Sequence, residues 1–410
     1  MTFRGTTAPA RRRGSAVLLA AVVLLAGCST AGEDETDRAS RQAGSEDDVV
    51  ATEEPPEVTV TDNVNKRGVA VDTEVRLTAE DGTLERVRVF GGPKGERQRL
   101  PGELNGAATT WTATRLLEPG STYKVETVAV DDEDRVLRQT RRFHTDDLTL
   151  DEQTYPSIAP LDGETVGVGM PVIVTFDIPV TDKASIERHL SVESTPKVRG
   201  TWHWYSDTEV HFRPRKLWEP GSEVTVNADI NSIDAGNGIY GQLDRSVSFD
   251  IGDKVVSKIN VDKHRMNVFI NGDHARTIPI SAGKEGFETR SGTKIIMEKF
   301  ETKRMDAATT GISRDDPEYY NISNVKWAMR VTYSGEFLHG APWSEGSQGD
   351  ANVSHGCVGM SLEDAEWLYE RSRRGDVVRV TGTDREMEPG NGWTDWNVSF
   401  AEYKQGSALS

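Results

Sequence analysis

Cysteine is nearly absent from this chain, with two among 410 residues. That excludes a disulfide-dense scaffold and leaves at most one bridge. Even one bridge is not expected, because each cysteine sits in a motif of its own. Basic residues are also in deficit: 66 acids against 48 lysines and arginines give a formal charge of −18. A chain that coats phosphates shows a basic face instead, so no nucleic-acid partner is expected. Apolar runs are short, and the N-terminal one, Ala16 to Ala26, cannot span a bilayer as a stable helix. Hydrophobic residues make up 36% and charged residues 28%, which is low for one tightly packed enzyme. It suits several small β-domains together with a disordered stretch, and the length allows two to four domains of about 100–200 residues each.

What is present begins with Arg11-Arg12-Arg13, a basic segment ahead of the apolar run. The run ends in Leu25-Ala26-Gly27-Cys28, which resembles the lipobox of bacterial lipoproteins. The resemblance implies that residues 1–27 are a signal peptide and that the Cys28 thiol takes a diacylglycerol before cleavage. Mature residue one is then Cys28, held by its lipid on the outer face of the cell membrane, facing the wall. A plain secretory signal with an accidental cysteine is the alternative. Residues 28–56 read as a tether: from Ser29 to Pro56 there are nine acids, two arginines and no aromatic residue. Such a segment buries too little apolar surface to offset chain entropy, and its charges repel one another and extend it.

From Glu57 the pattern changes to short alternating runs between turn residues, and the fold class reads as mainly β. Val75 to Ala79, Val87 to Phe90, Val172 to Phe176 and Glu209 to Phe212 have the period of half-buried strands. A phrase repeats: Leu117-Glu118-Pro119-Gly120-Ser121 returns as Trp218-Glu219-Pro220-Gly221-Ser222, each time leading from a Pro-Gly turn into a strand. Two immunoglobulin-like sandwiches are therefore expected, over residues 57–147 and 148–252, as spacers or wall-contact modules. His203 and His211, set among Trp202, Trp204 and Tyr205, read as sandwich core and strand surface. The loop from Asp234 to Gly238 offers one carboxylate, and reads as a turn in preference to a calcium site.

A third, β-rich region spans residues 253–382, with Asn271-Gly272 as a hairpin signal. It contains one clear helix, capped by Ser361, with Asp364 at the capping-box position, Ala365, Leu368 and Tyr369 on its apolar face and Gly375 at its end. Ahead of the helix lies Ser354-His355-Gly356-Cys357-Val358-Gly359, and upstream Phe337-Leu338-His339-Gly340-Ala341-Pro342-Trp343. A thiol attacks as thiolate, and a nearby imidazole takes its proton. Gly356 lets the backbone approach a substrate and offer N–H groups to an oxyanion. These residue types suggest Cys–His acyl transfer without metal or organic cofactor. An inert buried thiol is one alternative. A zinc ion held by His339, His355 and Cys357 is another.

Residues 256–381 resemble the catalytic domain of the L,D-transpeptidases. Ser354-His355-Gly356-Cys357 matches the family's cysteine signature, and Tyr333 to Ser344 is similar to its upstream histidine segment. The whole order resembles the multidomain actinobacterial members, ending in a Trp-rich tail, residues 383–410, that packs on the catalytic domain. The resemblance implies Cys357 as nucleophile, His339 as general base and acid, and His355 as a support for the cysteine loop and its charge. It implies that the Gly340 carbonyl orients His339, that Ser334 and Gly335 line the donor site and that Tyr320 belongs to a lid. Ser354, Gly356 and Gly359 join the substrate-binding set. Gly359 stands where relatives carry Asn or Arg, so a side-chain contact is lost, and the family's Thr-Pro-x-Gly phrase reads Thr289-Arg290-Ser291-Gly292. The implied reaction joins peptidoglycan stem peptides by 3→3 cross-links, with release of D-alanine. L,D-carboxypeptidase activity, or a non-catalytic wall-binding lipoprotein, would fit the same architecture.

Overall fold

The computed structural model describes residues 54–93 and 97–410. The expected signal peptide, Cys28 and nearly all of the expected tether lie outside the described residues.

The first sandwich packs two four-stranded sheets face to face. One runs in the order Thr59–Asp62, Arg76–Glu80, Thr110–Ala113, Gly102–Leu104; the other is Gln98–Leu100, Thr83–Gly91, Thr122–Val130, Val136–His144. The inward alternation buries Leu77, Val89, Trp111, Tyr123 and Phe143 between them. The second sandwich repeats the plan. Pro156–Ala159, Val172–Phe176, Glu209–Pro214 and Gly200–Trp204 face Thr165–Val166, Arg245–Ile251, Glu223–Ala228 and Leu190–Thr195. The repeated Pro-Gly phrase has one structural use in both halves: the serine after it is buried and donates its hydroxyl back to the turn, Ser121 to the Pro119 carbonyl at 3.0 Å and Ser222 to the Glu219 carbonyl at 2.7 Å. Asp234 spends its carboxylate on the Gly236 N–H, 2.7 Å away, inside a tight hairpin.

The third region has two sheets. A five-stranded sheet runs Asp273–Pro279, Arg265–Ile270, Val255–Asn260, Val377–Thr381, Gly292–Ile295. A four-stranded sheet runs Glu298–Asp306, Asn321–Arg330, Phe337–Gly340, Val358–Met360. Ile259, Met266, Val268, Leu338, Met360 and Val378 form the core these sheets share with Ala365 and Leu368 of the helix Leu362–Arg371. Ser361 caps that helix by accepting the Asp364 N–H at 3.1 Å, an interaction worth about 1 kcal/mol. The helix ends at Arg371, short of Gly375, because Ser372 is already extended; Gly375, at φ +95°, makes the turn that follows.

Two features of how the regions join go beyond the sequence reading. The second sandwich and the catalytic region share a core across residue 252. The core of the second sandwich continues into Val256, Ile295, Met297 and Val377, and the Gly167 and Gly169 N–H groups donate to the Arg374 and Gly375 carbonyls, both at 2.8 Å. The C-terminal tail also does more than pack on the catalytic region. Its first part does so, with Asn391 bound to Ser334 and Asn397 to Thr293. Between Asp395 and Asn397 it bridges both, and beyond them it lies on the second sandwich, where the short helix Phe400–Lys404 packs against Gly200–Trp204. The cause is a set of polar and aromatic partners: His211 meets Asp395 at 3.0 Å, the Arg213 guanidinium is enclosed by Trp396, Phe400 and Tyr403, and Glu187 receives the Ala408 N–H at 2.7 Å. His203 and His211 are thus the docking surface of the tail.

Candidate active site

Cys357 and His339 are 18 positions apart in the chain, and strand pairing brings them together. Phe337–Gly340 and Val358–Met360 run parallel, with His339 opposite Gly359, so Cys357 enters its strand beside the histidine. Both are buried, at 8% and 5% exposure, and both line a cavity of about 260 Å³. The His339 Nδ1 lies 3.0 Å from the Gly340 carbonyl. Only a protonated Nδ1 can donate to that oxygen, so the contact assigns the tautomer and leaves Nε2 as the acceptor. The Cys357 thiol points to the Gly335 carbonyl at 3.6 Å. Burial pushes this thiol up to about 12 and holds the imidazole below its ordinary value. Both shifts favour the neutral forms, a thiol and a free base.

The loop that presents the cysteine is fastened by its own backbone. Ser354 Oγ accepts the Gly356 N–H at 3.1 Å and donates to the Cys357 carbonyl at 2.6 Å. Ser354 is therefore a loop clamp, and the Gly356 N–H is committed to it and is no oxyanion donor. Thr289 Oγ1 donates to the Gly356 carbonyl at 2.8 Å while accepting the Gly283 N–H at 2.9 Å. Gly356 itself stands at φ +117°, a conformation that a side chain strains. Gly359 has a different reason. A Cβ there would lie 2.8 Å from the Ala341 Cβ, so the position is crowded by the residue that follows the neighbouring strand.

His355 lines the same cavity and has its own partner. Its Nε2 meets Glu318 at 2.7 Å, and Glu318 also takes the Lys284 ammonium at 2.5 Å. The ring lies edge-on to Phe287 and tilted against Tyr320. Glu318 and Tyr320 belong to the segment between Glu298–Asp306 and Asn321–Arg330, which with Met305 and Ile322 roofs the cavity. His355 thus ties the cysteine loop to that roof. Ser334 and Gly335 line a second cavity, of about 350 Å³, which shares Met305 and Tyr320 with the first. Gly340 is buried in its strand and contributes its carbonyl.

Sequence reasoning missed several partners. Trp343 stacks on His339 with 5.7 Å between ring centres while remaining 53% exposed at the cavity rim; its closeness in sequence to His339 was the available signal. The roof hairpin was invisible as strands because Glu298–Asp306 is almost wholly polar and lacks alternation. No group of three or more His, Cys, Asp or Glu side chains placed to hold a metal ion occurs among the described residues, and His355 Nε2 is engaged by Glu318.

Two family models match the chain: a bacterial Ig domain over residues 66–234 and an L,D-transpeptidase catalytic domain over residues 254–380. Across nearly its full length the chain is similar to L,D-transpeptidase 2 of Mycobacterium tuberculosis (strain CDC 1551 / Oshkosh), with 33% identity over 86% of this chain and 85% of the relative. The chain belongs to the L,D-transpeptidase family. It is also 32% identical to L,D-transpeptidase 5 of Mycobacterium tuberculosis (strain ATCC 25618 / H37Rv), over 82% of this chain and 73% of that one. Among solved structures it is similar to the LD transpeptidase LdtMt1 in complex with imipenem, at 33% identity and TM-score 0.49, covering 56% of this chain and 99% of that one. The Ig-domain match crosses residue 147, the boundary between the two sandwiches, so this L,D-transpeptidase carries the Ig-like part that the sequence led us to expect, followed by the catalytic domain.

Proposed function

We propose that this L,D-transpeptidase forms 3→3 cross-links between peptidoglycan stem peptides through an acyl-enzyme on Cys357. The observation that carries the reading is that Cys357 and His339 line one cavity, brought there by the parallel pairing of Phe337–Gly340 with Val358–Met360, with the histidine's tautomer set by the Gly340 carbonyl. His339 Nε2 takes the proton from Cys357 as the sulfur attacks the carbonyl of the third stem residue. The tetrahedral adduct collapses, the bond to the terminal D-alanine breaks, and His339 returns the proton to the leaving amine. An acceptor stem's side-chain amine then attacks the thioester, gives its proton to His339 and restores the thiol. The roof favours this amine over water by limiting solvent access to the thioester.

Purified ectodomain incubated with a disaccharide-tetrapeptide is expected to yield dimers that have lost one D-alanine per bond, and no product from tripeptide donors alone. Mass spectrometry reads the outcome. Free tripeptide as the only product would make the protein an L,D-carboxypeptidase, and unchanged substrate would leave a wall-binding protein.

For location, the lipobox resemblance supports anchoring of the protein by lipid on Cys28 at the outer face of the membrane; a multiply acylated terminus holds where one chain binds reversibly. Cys28→Ala is expected to accumulate as precursor or to be released from the cells. Normal processing and membrane retention in that variant would overturn the assignment.

A further inference from the structure

Lys294 is 1% exposed and Glu336 4%, and they form a direct ion pair beneath the nucleophile. A buried pair of this kind is costly to desolvate and rarely adds stability over an apolar pair of the same volume. Its surroundings connect it to the cysteine on two sides. Glu336 follows Gly335, whose carbonyl receives the thiol. The Glu336 side chain also lies beside Gly356, where a Cβ would stand 3.5 Å from its Cγ. Glu336 is itself fastened: its Oε1 accepts both the Arg290 N–H at 3.1 Å and the Arg290 guanidinium at 3.0 Å, and its N–H donates to Thr332 Oγ1 at 2.8 Å. Arg290 reaches on to Glu388 of the tail.

The geometry points to Lys294 and Glu336 as positioning residues for Cys357: Glu336 sets the turn that receives the thiol, and Lys294 supplies the positive charge that the thiolate needs once His339 has taken the proton. This inference rests on Cys357 as nucleophile. The charged groups that bear on the sulfur are Glu336, Lys294 and Arg330, and Tyr320, His339 and His355 line the same cavity. Among them Glu336 opposes the thiolate, while Lys294 and Arg330 favour it. Burial lowers Lys294 from its ordinary value and the Glu336 carboxylate beside it favours the charged form, so the anion that holds the turn also sustains the lysine's charge.

The two charges act on the sulfur with opposite sign, and that separates a positioning role from a merely structural one. We expect Lys294→Met to slow alkylation of Cys357 by iodoacetamide at pH 8 by about tenfold, and Glu336→Gln to speed it by about tenfold. The double variant Lys294→Met/Glu336→Gln removes both charges without orphaning either, so it guards against loss of fold, and its rate should return to within about threefold of the parent. Rates that move in the same direction in both single variants, or do not move, would overturn the inference. Wild-type protein is treated with a carbapenem in parallel. If it takes up no covalent equivalent, the nucleophile reading has failed; if it takes up one and the alkylation rates are insensitive to the substitutions, only the positioning roles fall.

Discussion

Cys357→Ala ectodomain is expected to take up no covalent carbapenem, where the parent takes up one equivalent, and His339→Ala is expected to acylate about 10²–10⁴-fold more slowly. Cys357 is the only thiol beyond residue 28, so the intact mass of the adduct reports on one site. The size of the histidine effect follows from burial. With the thiol pushed up to about 12, thiolate is scarce at neutral pH, and attack depends on a base already in place. The Gly340 carbonyl keeps that base in the acceptor tautomer. The same reasoning fixes the pH response. Alkylation of the free enzyme by a small neutral reagent should keep rising from pH 7 to pH 10, since a raised thiol loses its proton only in strong base. A plateau reached by pH 8 would mean a preformed thiolate–imidazolium pair and would contradict the neutral resting state. An adduct on any residue other than Cys357, or equal acylation rates with and without His339, would overturn the roles themselves.

The second large effect is expected at the tail. Asp395 is fully buried, and its carboxylate meets His211 Nδ1 at 3.0 Å and the Tyr403 hydroxyl at 2.7 Å. Burial alone would drive His211 neutral, but Asp395 and Glu209 raise it from 6.5 to about 9, and the histidine in turn holds Asp395 below its ordinary value. His211→Leu strands the carboxylate, and breaking a buried pair in this way costs about 3–5 kcal/mol. We expect a lower thermal midpoint and faster tryptic cleavage at Lys404, with much of the loss recovered in His211→Leu/Asp395→Leu, where no charge is orphaned. The sign of the pH dependence follows from the direction of each shift. A histidine raised on folding contributes fully below its unfolded value of 6.5, and its contribution is lost as pH rises through about 9. Asp395, lowered on folding, contributes above its unfolded value of 3.8 and loses that contribution as pH falls through its folded value. The tail should therefore be held best between about pH 4 and 6.5 and loosen toward pH 9. Equal midpoints at pH 6.5 and 9 in the parent protein, or no loss in His211→Leu, would refute the clamp.

What could be read from the chain alone follows from how local each signal is. Alternation of apolar residues, the repeated Pro-Gly phrase and the Ser361 cap act over a few residues, so the strands, the two sandwiches and the start of the helix were legible. The same holds for Ser354-His355-Gly356-Cys357, because a reactive loop packs its chemistry into consecutive positions. Roles that depend on which way a side chain turns were not legible. Ser354 clamps its own loop, and His355 faces Glu318 on the roof, because hydrogen-bond partners are chosen after the chain has folded.

Longer separations were hidden for the same reason. Lys294 and Glu336 lie 42 positions apart, and His211 and Asp395 lie 184 apart. A buried charge is tolerated only where its partner arrives, and sequence does not say what arrives. The histidines of the second sandwich looked like core and strand surface because the tail that covers them comes at the far end of the chain. Composition and local pattern thus determined the β-domains and singled out Cys357 and the Gly340 carbonyl beside His339. The tertiary structure alone decided which charges pair and where the tail is bound, since each is a contact between segments that share no local pattern.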